Sequence, residues 1–266
     1  MTARKSIFIT GGGSGIGRAI AQRFAARGWL VGLGDVNAAG MAQTAELLPV
    51  GQCFSHLLDV TDRDSWTSAL SNFAAIAGGT IDVVVNNAGI AYGGPLMALN
   101  ESEVDRLIAV NFRGVVNGAR AAHPYLKAAP DGCLLNTASA SALYGSAGLA
   151  LYSATKFAVR GLTEALDTEW LDDGIRVRSI MPSFIDTPLL HGPANASTQQ
   201  TKRDRVMASG LEFTPVEQVA QAAWDAVHGM RLHTPVGATA RKLAFASKWA
   251  PAYMRKRALR MARASR

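Results

Sequence analysis

Short apolar runs alternate with longer amphipathic stretches over most of the chain. The apolar runs predict strands at Ser6–Thr10, Leu30–Val36, Gln52–Leu58, Ile81–Asn86, Cys133–Ala138 and Ile175–Met181. The amphipathic stretches predict helices at Ile16–Arg27, Ala38–Leu48, Asp62 to about Ala77, Glu101–Leu126 and Leu151–Leu171. A helix at about Thr214–Gly229 and a short strand near His233–Val236 follow. Strands that alternate with helices in this way indicate βαβ units.

This alternation predicts an α/β fold in a single domain, with a doubly wound parallel sheet and helices on both faces. Parallel strands need crossover connections, and right-handed crossovers cover both sides of the sheet with helices. In such folds ligands bind in the crevice at the carboxyl ends of the strands. The residues that directly follow the strands are therefore candidates for a binding site.

The composition narrows the class of protein. The chain has 266 residues, 48% of them hydrophobic and 18% charged, which excludes an intrinsically disordered protein. No apolar run approaches the roughly 18–20 residues that a membrane-spanning helix needs. The first strand begins at Ser6 and leaves no room for a signal peptide, so we expect a cytoplasmic protein. Cys53 and Cys133 lack a partner motif, and we expect two reduced, buried thiols and no metal site.

The net charge of +7 is unevenly distributed. Residues 1–225 carry 17 Lys and Arg against 20 Asp and Glu, a net of −3. Residues 226–266 carry 10 basic side chains and no acidic one. The basic character therefore belongs to the carboxyl-terminal tail and gives no information about the partners of the main body.

A glycine-rich turn, Thr10–Gly17, connects the first strand to the first helix. Glycines at such a turn let the backbone turn tightly and approach a pyrophosphate, while the free N–H groups of the helix start favour an anion. Many ordinary strand–helix turns also contain glycine. Its place between the first strand and the first helix favours a nucleotide site.

Asp35 closes the second strand, 18 residues after Gly17. A carboxylate there can accept hydrogen bonds from both ribose hydroxyls of an adenosine and repels a 2′-phosphate, so it favours NAD over NADP. The alternative is a solvated aspartate that begins a turn. Arg18, just after the glycines, keeps NADP open as a second alternative, although an arginine there can simply face solvent.

Tyr152 and Lys156 share one face of a predicted helix. A free tyrosine titrates near 10, and lowering its pKa by about 3 units requires roughly 4 kcal/mol of preferential phenolate stabilisation. A nearby, partly buried ammonium can supply much of it. An exposed pair without function is the alternative.

Three further polar positions accompany that pair. Ser139 follows the strand Cys133–Ala138, the sequence Asn86–Gly89 follows the fourth strand, and Asn111 lies within a predicted helix. Each has a structural alternative, because serine caps turns and a buried asparagine can satisfy its own hydrogen bonds.

Taken together, these motifs resemble the short-chain dehydrogenase/reductase family, in its compact branch of Tyr-xxx-Lys type. The resemblance covers about residues 5–190 in the same order and spacing. It rests on Thr10–Gly17, Asp35, Asp59-Val60, Asn86–Gly89, Asn111, Ser139, Tyr152, Lys156 and Pro182…Thr187. It implies a Rossmann-like fold for residues 1–240, a dinucleotide-binding catalytic domain with a substrate lid at about 186–213, and a separate basic tail at 241–266.

The resemblance also implies roles for residues. Tyr152 would be the general acid/base, Lys156 would bind the nicotinamide ribose and lower the pKa of Tyr152, Ser139 would orient the substrate oxygen, and Asn111 would hold a water that links Lys156 to solvent. The implied cofactor contacts are Gly11, Ser14, Gly15, Ile16, Gly17, Asp35, Asp59, Val60, Asn86, Ala88, Gly89, Tyr152, Lys156, Pro182, Ile185 and Thr187.

One departure concerns the turn after the sixth strand. The family usually has Pro-Gly there, whereas this chain has Pro182-Ser183. Ser183 can hold the turn if its φ is negative, and Thr187 keeps its place as the expected partner of the nicotinamide carboxamide.

The expected activity is NAD-dependent interconversion of a hydrophobic secondary alcohol and its ketone. Leu189, Leu190, Met207 and Leu211 give the lid an apolar character, which fits such a substrate. A non-catalytic NAD(P)-binding regulator or scaffold and an NADP-dependent carbonyl reductase are the alternatives. We expect a homodimer or homotetramer.

The tail lacks the Val-Asp-Gly-Gly ending that many family members use to build a tetramer. Phe245, Trp249 and Tyr253 recur every four residues among basic side chains, Met254, Leu259 and Met261 lie nearby, and Pro251 can open the last helix. Two interpretations stay open: a helix that docks on its own or a neighbouring subunit, or peripheral contact with an anionic membrane. Nucleic-acid binding is not expected, because no binding fold accompanies the charge.

Overall fold

One parallel sheet organises the molecule. The computed structural model describes residues 4–208 and 213–264, and within these ranges seven strands form a sheet in the order β3-β2-β1-β4-β5-β6-β7. The strands are β1 Ser6–Thr10, β2 Leu30–Asp35, β3 Cys53–Leu57, β4 Val83–Asn86, β5 Cys133–Thr137, β6 Arg176–Pro182 and β7 His233–Val236. The reversal of strand order beside β1 creates the crevice in which doubly wound sheets bind ligands.

Helices cover both faces of the sheet, so the predicted fold class is confirmed. They are α1 Gly15–Ala25, α2 Ala38–Glu46, α3 Arg63–Ile76, α4 Glu101–Ile108, α5 Gly114–Lys127, α6 Ala150–Glu169, α7 Pro188–His191, α8 Lys202–Ala208, α9 Val216–His228, α10 Ala238–Trp249 and α11 Pro251–Ala264. Pro251 opens the last helix, as predicted. Among the described residues, no helix combines the length and apolarity needed to cross a bilayer.

The predicted helix Glu101–Leu126 is interrupted. A π-helical segment, Ala109–Arg113, separates α4 from α5. Such a bulge adds a residue to one turn without ending the helix. The helical stretch predicted over Glu101–Leu126 is therefore present, with the π-helical segment at the point where Asn111 lies.

The core consists of two layers on either side of the sheet. Alternate residues of β1 point to opposite faces: Ile7 and Ile9 pack in the layer that contains Phe24 of α1, while Phe8 packs with Trp66 on the other side. All five residues of β1 are buried. This double coverage fixes the carboxyl ends of the central strands as a rigid edge.

Both cysteines are free thiols. Cys133 is buried in β5, where burial raises the pKa of its thiol to about 11. Cys53, at the start of β3, is only partly buried, which differs from the expectation that both would be enclosed.

Candidate functional site

The turn between β1 and α1 takes a shape that only glycine accommodates easily. Gly11 and Gly15 have φ values of 67° and 50°, in the left-handed region. A Cβ atom on Gly17 would lie 2.1 Å from the carbonyl oxygen of Gly11. α1 has no side-chain cap at Ser14 and no acidic residue in its first turn, so its N–H groups remain suited to an anion.

Asp35 lies directly beside that turn. One of its oxygens, Oδ2, accepts a hydrogen bond from the backbone N–H of Gly13 at 2.9 Å, and Oδ1 accepts one from Asn37 at 2.9 Å. The carboxylate is therefore held in place at the end of β2 and retains further lone pairs for a ligand.

Arg18 does not point freely into solvent. Its guanidinium donates to the carbonyl oxygens of Gly13 at 2.6 Å and Gly40 at 3.3 Å, and to the hydroxyl of Thr44 at 3.0 Å. These bonds use most of its donors to join the glycine turn to α2. The side chain is thus engaged by the glycine turn and by α2.

A cleft of about 480 Å³ runs along the carboxyl edge of the sheet past these groups. The sequence-predicted residues that line it are Gly11, Ser14, Gly15, Ile16, Asp35, Asp59, Val60, Ala88, Gly89 and Thr187. The sequence did not single out Asn87, Ile90, Arg106 and Val110, which also line it. A backbone anion cradle, a carboxylate and apolar walls in one elongated cleft fit a dinucleotide such as NAD(P).

Six predicted cofactor contacts lie outside the cleft lining: Gly17, Asn86, Tyr152, Lys156, Pro182 and Ile185. Gly17 packs against Gly11, and Ile185 is buried in the core layer beside α1. Pro182 ends β6 in register with Val236 of β7. Asn86 is buried, and its amide donates to Asn136 at 3.0 Å.

Asn87 and Thr10 join β1 to the segment after β4. The Thr10 hydroxyl accepts from the backbone N–H groups of Asn87 and Ala88, each at 3.0 Å. The Asn87 amide donates to the Thr10 carbonyl at 2.9 Å. The paired asparagines at 86–87 were a visible signal, but the sequence does not tell which of the two lines the cleft.

Ser139, Tyr152 and Lys156 come together beside the same cleft. Ser139 caps a short 3₁₀ turn, Ala140–Ala142, directly after β5. Tyr152 and Lys156 lie on α6, with the ammonium nitrogen 5.8 Å from the centre of the phenol ring. A Cβ atom on Gly89 would lie 3.7 Å from that ammonium nitrogen, so this glycine marks where the cleft meets the cluster.

Lys156 is a buried cation. Its side chain is only 4% exposed and its ammonium donates to the Thr137 carbonyl at 2.9 Å. Burial lowers the pKa of Lys156 to about 8, because the low-dielectric interior disfavours the charged form. The residue therefore titrates near physiological pH.

The phenol of Tyr152 behaves differently from the simple expectation for a Tyr–Lys pair. Burial raises its pKa above the ordinary value, and a hydrogen bond with Ser139 only partly offsets that rise in pKa. The Lys156 ammonium donates to the Thr137 carbonyl, and its charge does not offset the effect of burial on the pKa of Tyr152. The lowering that base catalysis requires therefore needs an additional positive charge next to the phenol.

Asn111 lies in the π-helical segment and is completely buried. Its side-chain oxygen accepts from the backbone N–H of Ile90 at 2.8 Å, and its amide donates to the Ile90 carbonyl at 2.8 Å. This pair of bonds ties the helix to the segment after β4. Both predicted interpretations fit this position, since the side chain is satisfied and also lies next to the cluster.

The expected lid leaves and rejoins the body at one point. The hydroxyls of Ser183 and Thr214 are 3.1 Å apart, and the N–H of Thr214 donates to the carbonyl of Phe184 at 2.8 Å. No described residue other than glycine has a positive φ, so Ser183 meets the condition for holding the turn in place of glycine. We refer to these contacts of residues 183–184 with Thr214 as the clasp.

The expected lid segment also contacts the stretch of chain that follows β4. The Asn195 amide donates to the Gly93 carbonyl at 2.6 Å, and the N–H of Gly93 donates to the carbonyl of Ala194 at 2.7 Å. His191, the last residue of α7, is exposed and lies 2.9 Å from a carboxylate oxygen of Asp186. Leu211, predicted in the pocket wall, lies outside the described residues, as do the side chains of Met261 and Arg263 in the tail.

Comparisons with known proteins agree with this geometry. A family model described as short chain dehydrogenase matches residues 5–198. The meso-2,3-butanediol dehydrogenase of Serratia marcescens is 34% identical over 243 residues, which cover 89% of this chain and 95% of that protein.

Solved structures of other proteins with this fold include one complex with NAD and one with NADP. A short chain dehydrogenase/reductase from Burkholderia phymatum in complex with NAD has a TM-score of 0.82 and 25% identity, covering 97% of each chain. A short chain dehydrogenase from Burkholderia cenocepacia in complex with NADP has a TM-score of 0.80 at 24% identity, covering 97% of this chain and 99% of that one, and shows the fold alone.

Proposed function

The chain belongs to the short-chain dehydrogenase/reductase family, and on that premise we propose that it is an NAD-dependent oxidoreductase that interconverts a hydrophobic secondary alcohol and its ketone. The observation that carries the proposal is that Ser139, Tyr152 and the buried Lys156 lie together, with the Lys156 ammonium next to Gly89 of the cleft lining. A protein that only binds a nucleotide has no need for Ser139 and Tyr152 beside the buried Lys156.

We propose that Tyr152 exchanges the proton. In the oxidation direction its phenolic oxygen takes the proton of the substrate hydroxyl, and in reduction it returns that proton to the ketone oxygen. Ser139, at the start of its 3₁₀ turn, donates a hydrogen bond to the same substrate oxygen and balances the charge that develops there. Bound NAD would supply the hydride acceptor.

Lys156 supports this proton exchange by its charge. The ammonium lies on the phenol's side of α6 and is enclosed by protein, which strengthens its field at the phenolate. Asn111 fixes the segment after β4 through Ile90 and so keeps Gly89 beside the ammonium. It acts as a positioning residue.

The cofactor choice is proposed from Asp35 and Arg18 together. Asp35 presents a negative charge in the cleft, where a 2′-phosphate would be repelled. Arg18, the cation that could have offset this repulsion, is bound to Gly13, Gly40 and Thr44. We expect kcat/KM with NAD to exceed kcat/KM with NADP, and the reverse order would contradict the assignment of NAD.

The substrate class is proposed from the side chains at the mouth of the site. Leu189, in the expected lid, lines the cleft. A Cβ atom on Gly93 would lie 3.5 Å from a Cδ atom of Leu149. Leucine side chains at this place favour a hydrophobic alcohol or ketone over a sugar.

Replacement of one hydroxyl tests the mechanism. We expect Tyr152→Phe to lower kcat by about 10²–10⁴-fold in a screen of hydrophobic secondary alcohols, because the proton acceptor is lost. The dissociation constant for NAD should change less than about threefold, since the phenylalanine keeps the ring. Tyr125→Phe is the matched control, because Tyr125 packs against the α3–α5 side of the sheet.

The measurements are absorbance of the reduced nicotinamide for turnover and calorimetry for binding. Turnover of Tyr152→Phe equal to that of the native protein would rule out Tyr152 as the acid/base. If the native protein binds NAD but oxidises no alcohol and reduces no ketone in the screen, the non-catalytic alternative is the better description.

A further inference from the structure

Three aromatic side chains of the tail point into solvent. Phe245, Trp249 and Tyr253 are 68%, 67% and 61% exposed, although aromatic residues ordinarily bury most of their surface. They follow one another every fourth residue, the first two on α10 and the third on α11. We refer to them, with the basic residues around them, as the tail surface.

The tail is nevertheless anchored to the body. The inner side of α10 contacts β7 and the turn Ala140–Ala142, and Ala240 on that side is completely buried. Met254 is the buried contact of α11. The exposed aromatics therefore do not belong to an undocked segment, because α10 has a separate side that packs on the body and α11 packs on α10.

Basic side chains surround the aromatics on the same exposed side. On α10, Arg241, Lys242 and Lys248 share the exposed face with Phe245 and Trp249. Lys248 lies over the Trp249 ring, 5.0 Å from its centre.

Basic residues also dominate α11. Arg255, Lys256, Arg257 and Arg260 are all exposed. Of the tail's lysines and arginines whose side chains the structure describes, none forms an ion pair. Their charge is therefore available to an external partner.

The sign of the charge selects the partner. No acidic residue follows Asp225, so two tails that met about a twofold axis would bring like charges together. An anionic bilayer supplies the opposite charge over a broad area, and tryptophan, tyrosine and basic residues are the side chains that suit its headgroup region.

We propose that the tail surface binds peripherally to an anionic membrane. Phe245, Trp249 and Tyr253 would enter the headgroup region, and the surrounding lysines and arginines would contact lipid phosphates. Each basic side chain near such a surface strengthens the attraction about fivefold, which lets a few exposed aromatics suffice for binding.

The tail surface is close to the site on the body. α10 begins at Ala238, one residue beyond the Gly237 that follows β7, and it contacts the turn that Ser139 caps. Membrane contact would thus hold the carboxyl edge of the sheet at the lipid surface, where hydrophobic alcohols and ketones accumulate. The membrane binding itself stands independently of the proposed enzymatic function.

Vesicle co-sedimentation of the full-length protein tests this inference. The vesicles would contain either phosphatidylcholine alone or phosphatidylcholine with about one third phosphatidylserine. We expect at least tenfold stronger partitioning to the anionic vesicles, and a steep loss of that partitioning as salt rises.

Two sets of substitutions distinguish vesicle binding through the tail surface from non-specific adsorption through exposed apolar side chains. The triple change Phe245→Ser, Trp249→Ser, Tyr253→Ser should reduce partitioning at least tenfold. The control triple Val50→Ser, Met97→Ser, Leu171→Ser, which removes three exposed apolar side chains elsewhere, should change it less than twofold. Lys256→Glu with Arg260→Glu should weaken binding and flatten its salt dependence.

Turnover of a water-soluble alcohol and circular dichroism confirm that each variant is folded. Partitioning that is equal for neutral and anionic vesicles, or equal for the two triple variants, would overturn the inference. It would also be overturned if light scattering showed that the tail triple abolishes self-association while the native protein fails to bind vesicles. Tighter binding to duplex DNA than to anionic vesicles would do so as well.

Discussion

The two halves of the cleft are built in different ways. The half around β1 and β2 is shaped by backbone: glycines with positive φ, a helix start without a cap, and a carboxylate fixed by two N–H groups. The half around β5 and α6 is shaped by buried side chains, above all Lys156 and Asn111. In the first half, a Cβ atom on Gly17 would clash with the backbone. The second half instead encloses the charged Lys156 and the polar Asn111.

Because the two halves are built differently, we expect substitutions in one half to change cofactor affinity and substitutions in the other to change turnover. A backbone cradle offers a ligand N–H groups that need no rearrangement, so changes there should act mainly on cofactor binding. A buried cation lowers stability but strengthens electrostatic effects on a nearby phenol, so changes there should act on turnover and on the free energy of unfolding.

The largest expected effect is that of Gly17→Ala. The new Cβ would meet the Gly11 carbonyl at 2.1 Å, and a backbone contact of that kind can be relieved only if the turn moves. We expect the affinity for NAD to fall at least about 100-fold, because a shift of the turn displaces the N–H groups from the pyrophosphate position.

Gly161→Ala is the matched control for this change. Gly161 lies within α6, and a Cβ there meets no atom within 4 Å, so alanine should be neutral or stabilising by about 0.5–1 kcal/mol. Titration calorimetry and thermal unfolding measure both variants. Native affinity for NAD in Gly17→Ala would show that the backbone does not control the cofactor half.

A smaller effect is expected from Asp35→Asn. The amide retains the shape of the side chain and an acceptor oxygen for the Gly13 or Asn37 N–H group, but it loses the charge. We expect the ratio of kcat/KM for NAD to that for NADP to fall about 10- to 100-fold, because charge-assisted bonds weaken and phosphate repulsion disappears. Asp64→Asn, at the start of α3, is an exposed control. An unchanged ratio would place cofactor selection elsewhere.

Lys156→Met is expected to change stability as well as turnover, and it should raise stability where the other substitutions cause losses. Since the folded pKa of about 8 lies below the unfolded value of 10.5, the unfolded chain binds more protons between these pH values. Below about pH 8 the buried charge of Lys156 therefore lowers the free energy of unfolding by its full amount, and this destabilisation decreases as the pH rises towards 10.5. Methionine should raise the free energy of unfolding at pH 7 by up to about 3 kcal/mol while turnover is lost.

Chemical denaturation at pH 7 and pH 10 measures this gain, which should shrink at the higher pH. Lys248→Met, at an exposed position on α10, should leave the free energy of unfolding nearly unchanged at both pH values. A destabilised Lys156→Met variant at pH 7 would mean that the bond to Thr137 outweighs the cost of the buried charge.

The sequence predicts those features that depend on a fixed spacing along the chain. The glycine turn and Asp35 follow strands whose apolar runs are unambiguous, and the interval between Tyr152 and Lys156 is one helical turn. The structure places each of them at the edge where parallel strands end.

Features that depend on contacts between distant segments were not predictable. The periodicity of residues 101–126 does not reveal the π-helical segment, because the extra residue in one turn does not end the helix. The strength of burial at Tyr152 and the engagement of Arg18 likewise depend on packing that no local pattern encodes. The tail motif does not tell which of its residues become buried, and the structure buries Ala240 and Met254.

The clasp between residues 183–184 and Thr214 has an evolutionary consequence. Because the clasp joins the two ends of the segment between residues 184 and 214, the strands and α9 keep the same geometry whatever that segment contains. The entropy cost of closing a surface loop also grows only slowly with its length. The intervening segment can therefore be exchanged, shortened or extended while the sheet remains unchanged. We expect chimaeras joined at the clasp to fold, and such grafts would let selection vary which molecules are accepted without rebuilding the chemistry beneath.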